Sequence, residues 1–254
     1  MSSSAAAHRP FGIDFGGSGI KGAPVDLEQG EFAEERVRID TPQPASPKAV
    51  AEVFAELLAK FDDSDGKVGV TVPGVVVHGV VHSAANIDKA WIGEDANRLF
   101  TERTGRDVHV VNDADAAGLA EVRYGAAKGR RGLVIVTTLG TGIGSAMVYD
   151  GVLVPNSELG HLEIDGHDAE KRAAHSAKEK EELSWEDYAV RLTTYYRKLE
   201  QLFSPELFVV GGGVSKKADK FLDLIDIDTE IIPAQLLNDA GIVGAALYAT
   251  ESTD

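Results

Sequence analysis

A run of glycines between two apolar, β-rich segments near the N-terminus constrains the fold of this chain most strongly. FGIDFGGSGIKGAPV predicts a strand, a tight turn over Gly16, Gly17, Ser18 and Gly19, and a second strand. Glycine lets a backbone turn approach a ligand without an intervening Cβ, and successive N–H groups on such a turn form a concavity for anions. A purely structural hairpin turn has the same sequence, so this segment alone leaves both interpretations open.

The same pattern returns in the second half of the chain. LVIVTTLGTGIGSAMVY predicts a strand, a turn over Gly140, Thr141, Gly142 and Gly144, and a strand, and a further glycine turn, Gly211 to Gly213, follows the strand LFVV. Neither GxxxxGK[ST] nor GxGxxG in its strand-to-helix context is present. The repetition predicts two α/β lobes with a ligand cleft between them.

Two charged residues flank the first glycine turn. Asp14, at the end of the first strand, is placed to hold the Mg²⁺ that accompanies a polyphosphate group, and Lys21 would add a positive charge. We therefore predict Asp14 as a metal and phosphate ligand.

Asn112 and Asp113 follow the strand VHVV and open a helix. A carboxylate at this point can accept the proton of an attacking hydroxyl. Asn and Asp also cap helices routinely, and spacing alone favours the cap.

Glu158 and His161 lie three residues apart just after the second hairpin. A carboxylate and an imidazole at this spacing can bind two neighbouring hydroxyl groups of a sugar. Asn86, in an irregular polar segment, is equally compatible with hydroxyl recognition and with a turn.

Composition limits the class of protein. The 254 residues carry a net charge of −16, which opposes general binding to nucleic acid or anionic membranes. There is no cysteine, so disulfides and thiolate metal sites are excluded. No apolar run approaches the roughly 20 residues that span a bilayer, and the N-terminus has no secretory signal pattern. We expect a cytoplasmic protein.

Two basic segments stand out on this acidic chain: Lys128 to Arg131, and Lys216 with Lys217. Solvated loops and a phosphate-binding track are both open interpretations of them. Two further segments are predicted to be helical: the stretch after Gly213, and the charged region from Ala169 to Glu182.

Taken together, the motifs resemble the ROK family of sugar kinases and repressors, over nearly the whole chain from Phe11 to Ala249. The segments that carry the resemblance are FGIDFGGSGIKGAPVD, VPGVV, SAANID, VVNDADAAGLAE, TLGTGIGSA and ELGHL. The chain is especially similar to the branch of the family that uses inorganic polyphosphate.

The resemblance implies two actin-like (ribonuclease H-like) lobes and transfer of a phosphoryl group to the 6-hydroxyl of glucose, with polyphosphate or ATP as donor and Mg²⁺ as cofactor. It implies Asp113 as catalytic base, and two phosphate loops at Asp14 to Gly19 and Gly140 to Gly144. Gly211, Gly212 and Gly213 would lie near the nucleotide base when ATP is the donor. The implied sugar ligands are Asn86, Asn112, Asp113, Glu158 and His161. A homodimer is also implied.

One departure from the family pattern concerns zinc. Many members follow ELGH with a CxCGxxGC cluster that binds zinc, whereas this chain has no cysteine, so no zinc is expected. The family's second sugar-binding Glu follows those cysteines, and Glu170 is the candidate for that role here.

The predicted organisation is a disordered lead-in (1–10), an N-terminal lobe (11–112) joined by a C-terminal helix (239–250), and a C-terminal lobe (113–238). Two other functions stay open. The first is a strictly ATP-dependent hexokinase of the same family. The second is a non-catalytic sugar-binding regulator, which the short segment before Phe11 disfavours because family repressors carry a helix-turn-helix there.

Overall fold

A computed structural model describes residues 9–61, 66–84 and 87–252. The chain forms two compact units, Met1–Ala120 with Asp239–Asp254, and Glu121–Asn238. Asn86 and most of the predicted lead-in lie outside the described residues. The boundary between the two units, after Ala120, falls within a helix that begins at Asp113. The predicted lobe boundary at 112/113 stays a prediction.

The first unit is built on a six-stranded sheet in the order β3-β2-β1-β5-β8, with β4 also paired to β2. The predicted hairpin is present: β1 and β2 are antiparallel, and Asp14 lies opposite Lys21. β1, β5 and β8 are parallel neighbours, and all of their residues are buried except the partly buried Asp14. The strands are β1 (Phe11–Phe15), β2 (Gly19–Asp26), β3 (Glu31–Phe32), β4 (Val37–Asp40), β5 (Val68–Val72), β6 (Val76–Val77), β7 (Val80–Val81) and β8 (Val108–Asn112).

Three helices of this unit follow local sequence signals. Ser46 caps the first of them, with Pro47 in its first turn, and Asp95 caps the second through the Arg98 N–H. Phe54 of the first stacks on Phe100 of the second, with ring centroids 4.4 Å apart. The helices are α1 (Pro47–Leu58), α2 (Ala96–Thr104) and α3 (Asp113–Arg123), the last crossing into the second unit.

The C-terminal helix, Ala240–Glu251, packs on the sheet of the first unit with its backbone in direct contact. A Cβ on Gly12 would lie 1.9 Å from the Ile242 carbonyl oxygen, and one on Gly69 would lie 1.8 Å from that of Ala245. Only glycine in β1 and β5 permits this approach, so these two positions determine where the helix lies.

The second unit is built on a five-stranded sheet in the order β11-β10-β9-β14-β15. Here too an antiparallel hairpin, β9 with β10, lies beside parallel strands, β9 with β14 and β14 with β15. The repeated pattern of the sequence therefore corresponds to a repeated arrangement of strands. The strands are β9 (Leu133–Leu139), β10 (Ile143–Tyr149), β11 (Val152–Val154), β12 (Glu163–Ile164), β13 (His167–Asp168), β14 (Leu207–Gly211) and β15 (Ile231–Pro233).

The predicted helical region 169–182 is divided into two short helices, because Ala174 is extended (ψ 153°). The predicted helix after Gly213 is wrong: 213–220 forms 3₁₀ turns, with a break at Lys217. Ser215 contributes to this outcome, since its hydroxyl donates to the Gly212 carbonyl and competes with regular helix formation. The helices of this unit are α4 (Glu170–Ala173), α5 (His175–Lys180) and α6 (Trp185–Phe203).

Each unit buries its own apolar core. In the first, Phe11, Phe15 and Trp91 are fully buried, and in the second Tyr188, Tyr196 and Phe208 are. None of the described helices is long and apolar enough to cross a membrane.

Candidate functional site

The end of β1 brings together charged and polar groups from the hairpin and from β5. The Asp14 Oδ2 lies 3.6 Å from the Lys21 Nζ, and both side chains are about three-quarters buried. The Asp14 Oδ1 accepts the Thr71 hydroxyl at 3.1 Å. Because a Cβ on Gly241 would lie 3.1 Å from the same oxygen, the start of the C-terminal helix is adjacent, and its dipole favours a negative charge there.

The first glycine turn is closed by the Gly16 N–H, which donates to the Gly19 carbonyl at 3.1 Å. Side chains from the following segment hold its carbonyl groups. Thr41 donates its hydroxyl to the Gly16 carbonyl at 2.6 Å, and Arg38 donates to the Ser18 carbonyl at 2.9 Å. The carbonyl groups of Gly16, Ser18 and Gly19 therefore accept hydrogen bonds from within the protein, while Gly17 and Ser18 are exposed.

Asn112 and Asp113, at the end of β8, have different surroundings and different roles. The buried Asn112 caps α3, since its Oδ1 accepts the N–H groups of Ala114 at 2.8 Å and Asp115 at 3.1 Å. Its Nδ2 donates to the Gly74 carbonyl at 3.0 Å. Asp113 is exposed at the helix N-terminus and accepts the Ala114 N–H at 2.9 Å. Capping by Asn112 leaves the Asp113 carboxylate at the surface.

The second glycine turn is held by the two short helices that follow it in the chain. Ser176 on α5 donates its N–H to the Gly140 carbonyl at 3.0 Å and its hydroxyl to the Thr141 carbonyl at 2.6 Å. Glu170 on α4 accepts the Ile143 N–H at 3.2 Å. The charged segment 169–182 therefore supports this turn directly.

The third glycine turn lies against the second. Gly212 has φ of +80°, and a Cβ there would lie 2.5 Å from the Leu139 carbonyl oxygen. Gly211 pairs in register with Thr138. The turn 140–144 and the turn 211–213 thus form neighbouring loops at the end of one sheet.

Two of the predicted sugar ligands, Glu158 and Glu170, lie close to a third, His161. Its Nε2 lies 4.0 Å from Glu158 Oε2, and its Nδ1 lies 3.9 Å from Glu170 Oε1. Asp168, which sequence reasoning missed, lies 4.0 Å from the same Nδ1. The His161 side chain is 58% exposed, so the cluster can reach a ligand from solvent.

The donor set at Asp14 fits a metal ion held partly by phosphate. No group of three or more His, Cys, Asp or Glu side chains that could hold a metal occurs among the described residues. Mg²⁺ commonly uses one or two carboxylates together with substrate phosphates and water. Asp14, with one oxygen toward Lys21 and one toward Thr71, suits that arrangement better than an all-protein cage.

The two basic segments differ in their surroundings. Arg130 forms an ion pair with Glu230, with 2.8 Å between nitrogen and oxygen, so its charge is neutralised. Lys217 lies 5.9 Å from the centroid of the Trp185 ring. Lys216 and Lys217 follow the glycine turn 211–213, and neither forms an ion pair with a carboxylate among the described residues.

Sequence reasoning also missed Thr71, Arg38, Thr41 and Ser176, which hold the first two glycine turns. Thr71 is 57 residues from Asp14 in the chain, and Ser176 is 35 residues from Thr141. Thr71 is a buried polar residue in an otherwise apolar strand, and that signal was present in the sequence. Nothing local marked the others.

The sequence profile of the ROK family matches residues 10–171. The chain is 51% identical to a polyphosphate glucokinase of Mycobacterium tuberculosis over 96% of this chain and 92% of that protein. The chain belongs to the ROK family. Among solved structures, it is similar to the inorganic polyphosphate/ATP-glucomannokinase of Arthrobacter sp. strain KM. That match has a TM-score of 0.89 and 56% identity over 95% of this chain and 98% of the other.

A ROK glucokinase from Streptomyces griseus, solved with glucose and AMPPNP, matches with a TM-score of 0.82 and 25% identity, over 96% of this chain and all of that one. The predicted fold class, α/β with two actin-like (ribonuclease H-like) lobes, is confirmed by these ROK relatives together with the sheets and helices of both units. The cleft between the lobes and the individual site residues stay predictions.

Proposed function

We propose that this protein transfers a phosphoryl group from inorganic polyphosphate to the 6-hydroxyl of glucose, with ATP as an alternative donor. The observation that carries the proposal is the 51% identity, over 96% of the chain, to a polyphosphate glucokinase. A relative that is 56% identical is named for both donors, polyphosphate and ATP. A divalent metal is a requirement expected of such kinases, and we propose Mg²⁺.

In the proposed mechanism Asp113 is the general base. It accepts the proton of the glucose 6-hydroxyl as the oxygen attacks the terminal phosphorus of the donor. Support comes from its exposed carboxylate at the N-terminus of α3 and from the capping role of Asn112, which positions that helix end. Asn112 has one remaining N–H for a sugar hydroxyl.

The glycine turns stabilise the charge that develops on the transferred group. The turns at Gly16 to Gly19 and at Gly140 to Gly144 would present backbone N–H groups to phosphate oxygens, and Lys21 would add a cation. When bound, Mg²⁺ would neutralise phosphate charge, and Asp14 would hold it. The N–H groups of Gly16, Gly140 and Ile143 are already donated within the protein. The proposed phosphate donors are therefore the N–H groups of Gly17 and Ser18 in the first turn and of Thr141 and Gly142 in the second.

Glu158, His161 and Glu170 are proposed to bind the sugar hydroxyls, which their convergence supports. Asn86 is proposed to do so on the strength of the resemblance alone. Gly211, Gly212 and Gly213 would lie against the nucleotide when ATP is used, and their contact with the second turn supports this. A cytoplasmic location and a homodimer stay predictions.

A coupled assay for glucose 6-phosphate, run with long-chain polyphosphate and then with ATP, tests the proposal. We expect turnover with polyphosphate that depends on a divalent metal and exceeds or matches turnover with ATP. Turnover with ATP alone would support the strictly ATP-dependent alternative. Glucose binding without turnover by either donor would support the regulator.

A further inference from the structure

Three lysine ammonium groups surround one aromatic ring in the second unit. The Nζ atoms of Lys178, Lys217 and Lys220 lie 4.2, 5.9 and 6.0 Å from the centroid of the Trp185 ring. Attraction between a cation and an aromatic face stabilises such positions. We call these three residues the lysine cluster.

The lysine cluster is not neutralised within the protein. Across residues 9–61, 66–84 and 87–252, no carboxylate forms an ion pair with any of the three, although the chain carries a net charge of −16. Glu179, the nearby acid on α5, lies 3.9 Å from His175. Like charges placed around one ring repel one another, and a bound polyanion would relieve that repulsion.

His175, at the start of α5, lies close to the lysine cluster. Burial lowers the pKa of His175 below its usual value, and the ammonium groups of Lys217 and Lys178 lower it further, against an opposing effect of Glu179. The His175 ring lies 6.4 Å from that of Trp185. Lys217 and Lys178 therefore lie close enough to the start of α5 to affect the ionisation of His175.

The lysine cluster is continuous with two glycine turns. Lys178 lies on α5, whose Ser176 bonds the carbonyl groups of Gly140 and Thr141. Lys217 and Lys220 lie on the 3₁₀ segment that begins at Gly213. A chain of phosphates that leaves the second turn along either segment would meet the ammonium groups.

We propose that the lysine cluster binds the phosphate units of a polyphosphate donor that lie beyond the reacting group. The identity of the ligand rests on the proposed function. A linear polyphosphate fits better than a nucleotide base, because the Trp185 ring already stacks on Phe221 (5.6 Å between centroids, 13° between planes). The surface offers three ammonium groups around one ring, and each internal phosphate unit carries one negative charge.

Binding of long-chain polyphosphate, measured by isothermal titration calorimetry without glucose, tests the lysine cluster. The variants are the double substitution Lys217→Ala/Lys220→Ala and the control Lys180→Ala, which removes an exposed lysine from the same helix as Lys178. We expect the double variant to bind at least about tenfold more weakly and its log–log salt slope to fall by about two. The affinity of Lys180→Ala for long-chain polyphosphate should lie within about twofold of that of the native protein. The affinities of the native protein and the double variant for tripolyphosphate should differ much less than their affinities for the long chain.

The proposal would be overturned if the double variant lost no more affinity for long-chain polyphosphate than Lys180→Ala does. It would also be overturned if the double variant lost as much affinity for tripolyphosphate as for the long chain. An unchanged unfolding midpoint in the double variant excludes misfolding, and Lys217→Arg/Lys220→Arg should restore most of the affinity if charge is what matters. The proposed function is judged separately, by turnover of polyphosphate in the native protein. A native enzyme that turns over polyphosphate while the double variant binds it normally would contradict only the role of the lysine cluster.

Discussion

The carboxylate of Glu170 joins the backbone of Ile143 to the ring of His161. One oxygen accepts the Ile143 N–H at 3.2 Å, and the other lies 3.9 Å from the His161 Nδ1. A Cβ on Gly142 would lie 2.4 Å from the same carboxylate. A single side chain therefore couples the second glycine turn to the proposed sugar ligands.

Replacing Glu170 should impair both of these sites. Glu170→Ala removes the acceptor for Ile143 and the partner of His161, and we expect kcat/KM for glucose to fall by about 10²-fold. Glu170→Gln keeps a hydrogen-bond acceptor for Ile143 but loses the charge, so it should lose less in kcat than in affinity for glucose. Steady-state kinetics with varied glucose measure the two effects, and near-native values for both variants would contradict the coupling.

Substitution of Asp113 should lower turnover, whereas substitution of Asn112 should lower stability. Asp113→Ala should still bind glucose in calorimetry but lose at least about 10²-fold in kcat, because the general base is gone. Asn112→Ala removes the helix cap and should lower the free energy of unfolding by about 1 kcal/mol or more. Turnover by Asp113→Ala close to that of the native protein would remove Asp113 from the role of base.

Glu121 is a buried carboxylate that stabilises the second unit. It accepts the N–H groups of Ala126, Gln235 and Leu236 at 2.8, 3.1 and 2.7 Å. Glu121→Ala leaves three N–H groups without this acceptor, and we expect the free energy of unfolding to fall by about 3 kcal/mol or more. Urea denaturation measures it, with Glu56→Ala, an exposed site on α1, as a control that should change little.

Gly69 tests the contact between the C-terminal helix and β5. Gly69→Ala would place a Cβ 1.8 Å from the Ala245 carbonyl oxygen, so the helix must move and the first unit should lose about 3 kcal/mol or fail to fold. Gly105→Ala, at a left-handed helix end with open space around it, should cost only about 1 kcal/mol. Equal thermal shifts for the two variants would show that backbone strain, and not the contact, dominates.

The lowered pKa of His175 predicts a pH dependence. The unfolded chain binds a proton at this residue more tightly than the folded protein does, so its contribution is complete above the usual pKa of 6.5 and is lost as the pH falls below it. His175→Gln should therefore show a smaller loss of thermal stability between about pH 7 and pH 5. Parallel stability curves for the two proteins would contradict this prediction.

Local signals determined much of this protein. The glycine turns, the hairpins on either side of them, and the helix starts at Ser46, Asp95 and Asn112 follow from residue conformation and capping over a few positions. The order of the motifs along the chain was enough to identify the family. Each motif alone is weak, but all of them in this order are specific to the family. These features depend on contacts between near neighbours, which a sequence displays directly.

Tertiary structure alone decided what surrounds each turn. Thr71 beside Asp14, Ser176 beneath Thr141, Asp168 beside His161 and the lysines around Trp185 are brought together by strand pairing and helix packing. The 3₁₀ turns found in place of the predicted helix after Gly213 are a second example, since the Ser215 hydroxyl bonds the Gly212 carbonyl and competes with regular helix formation there. Such pairs are distant in the chain, and their proximity depends on how whole sheets and helices bury their apolar faces, which no local pattern specifies.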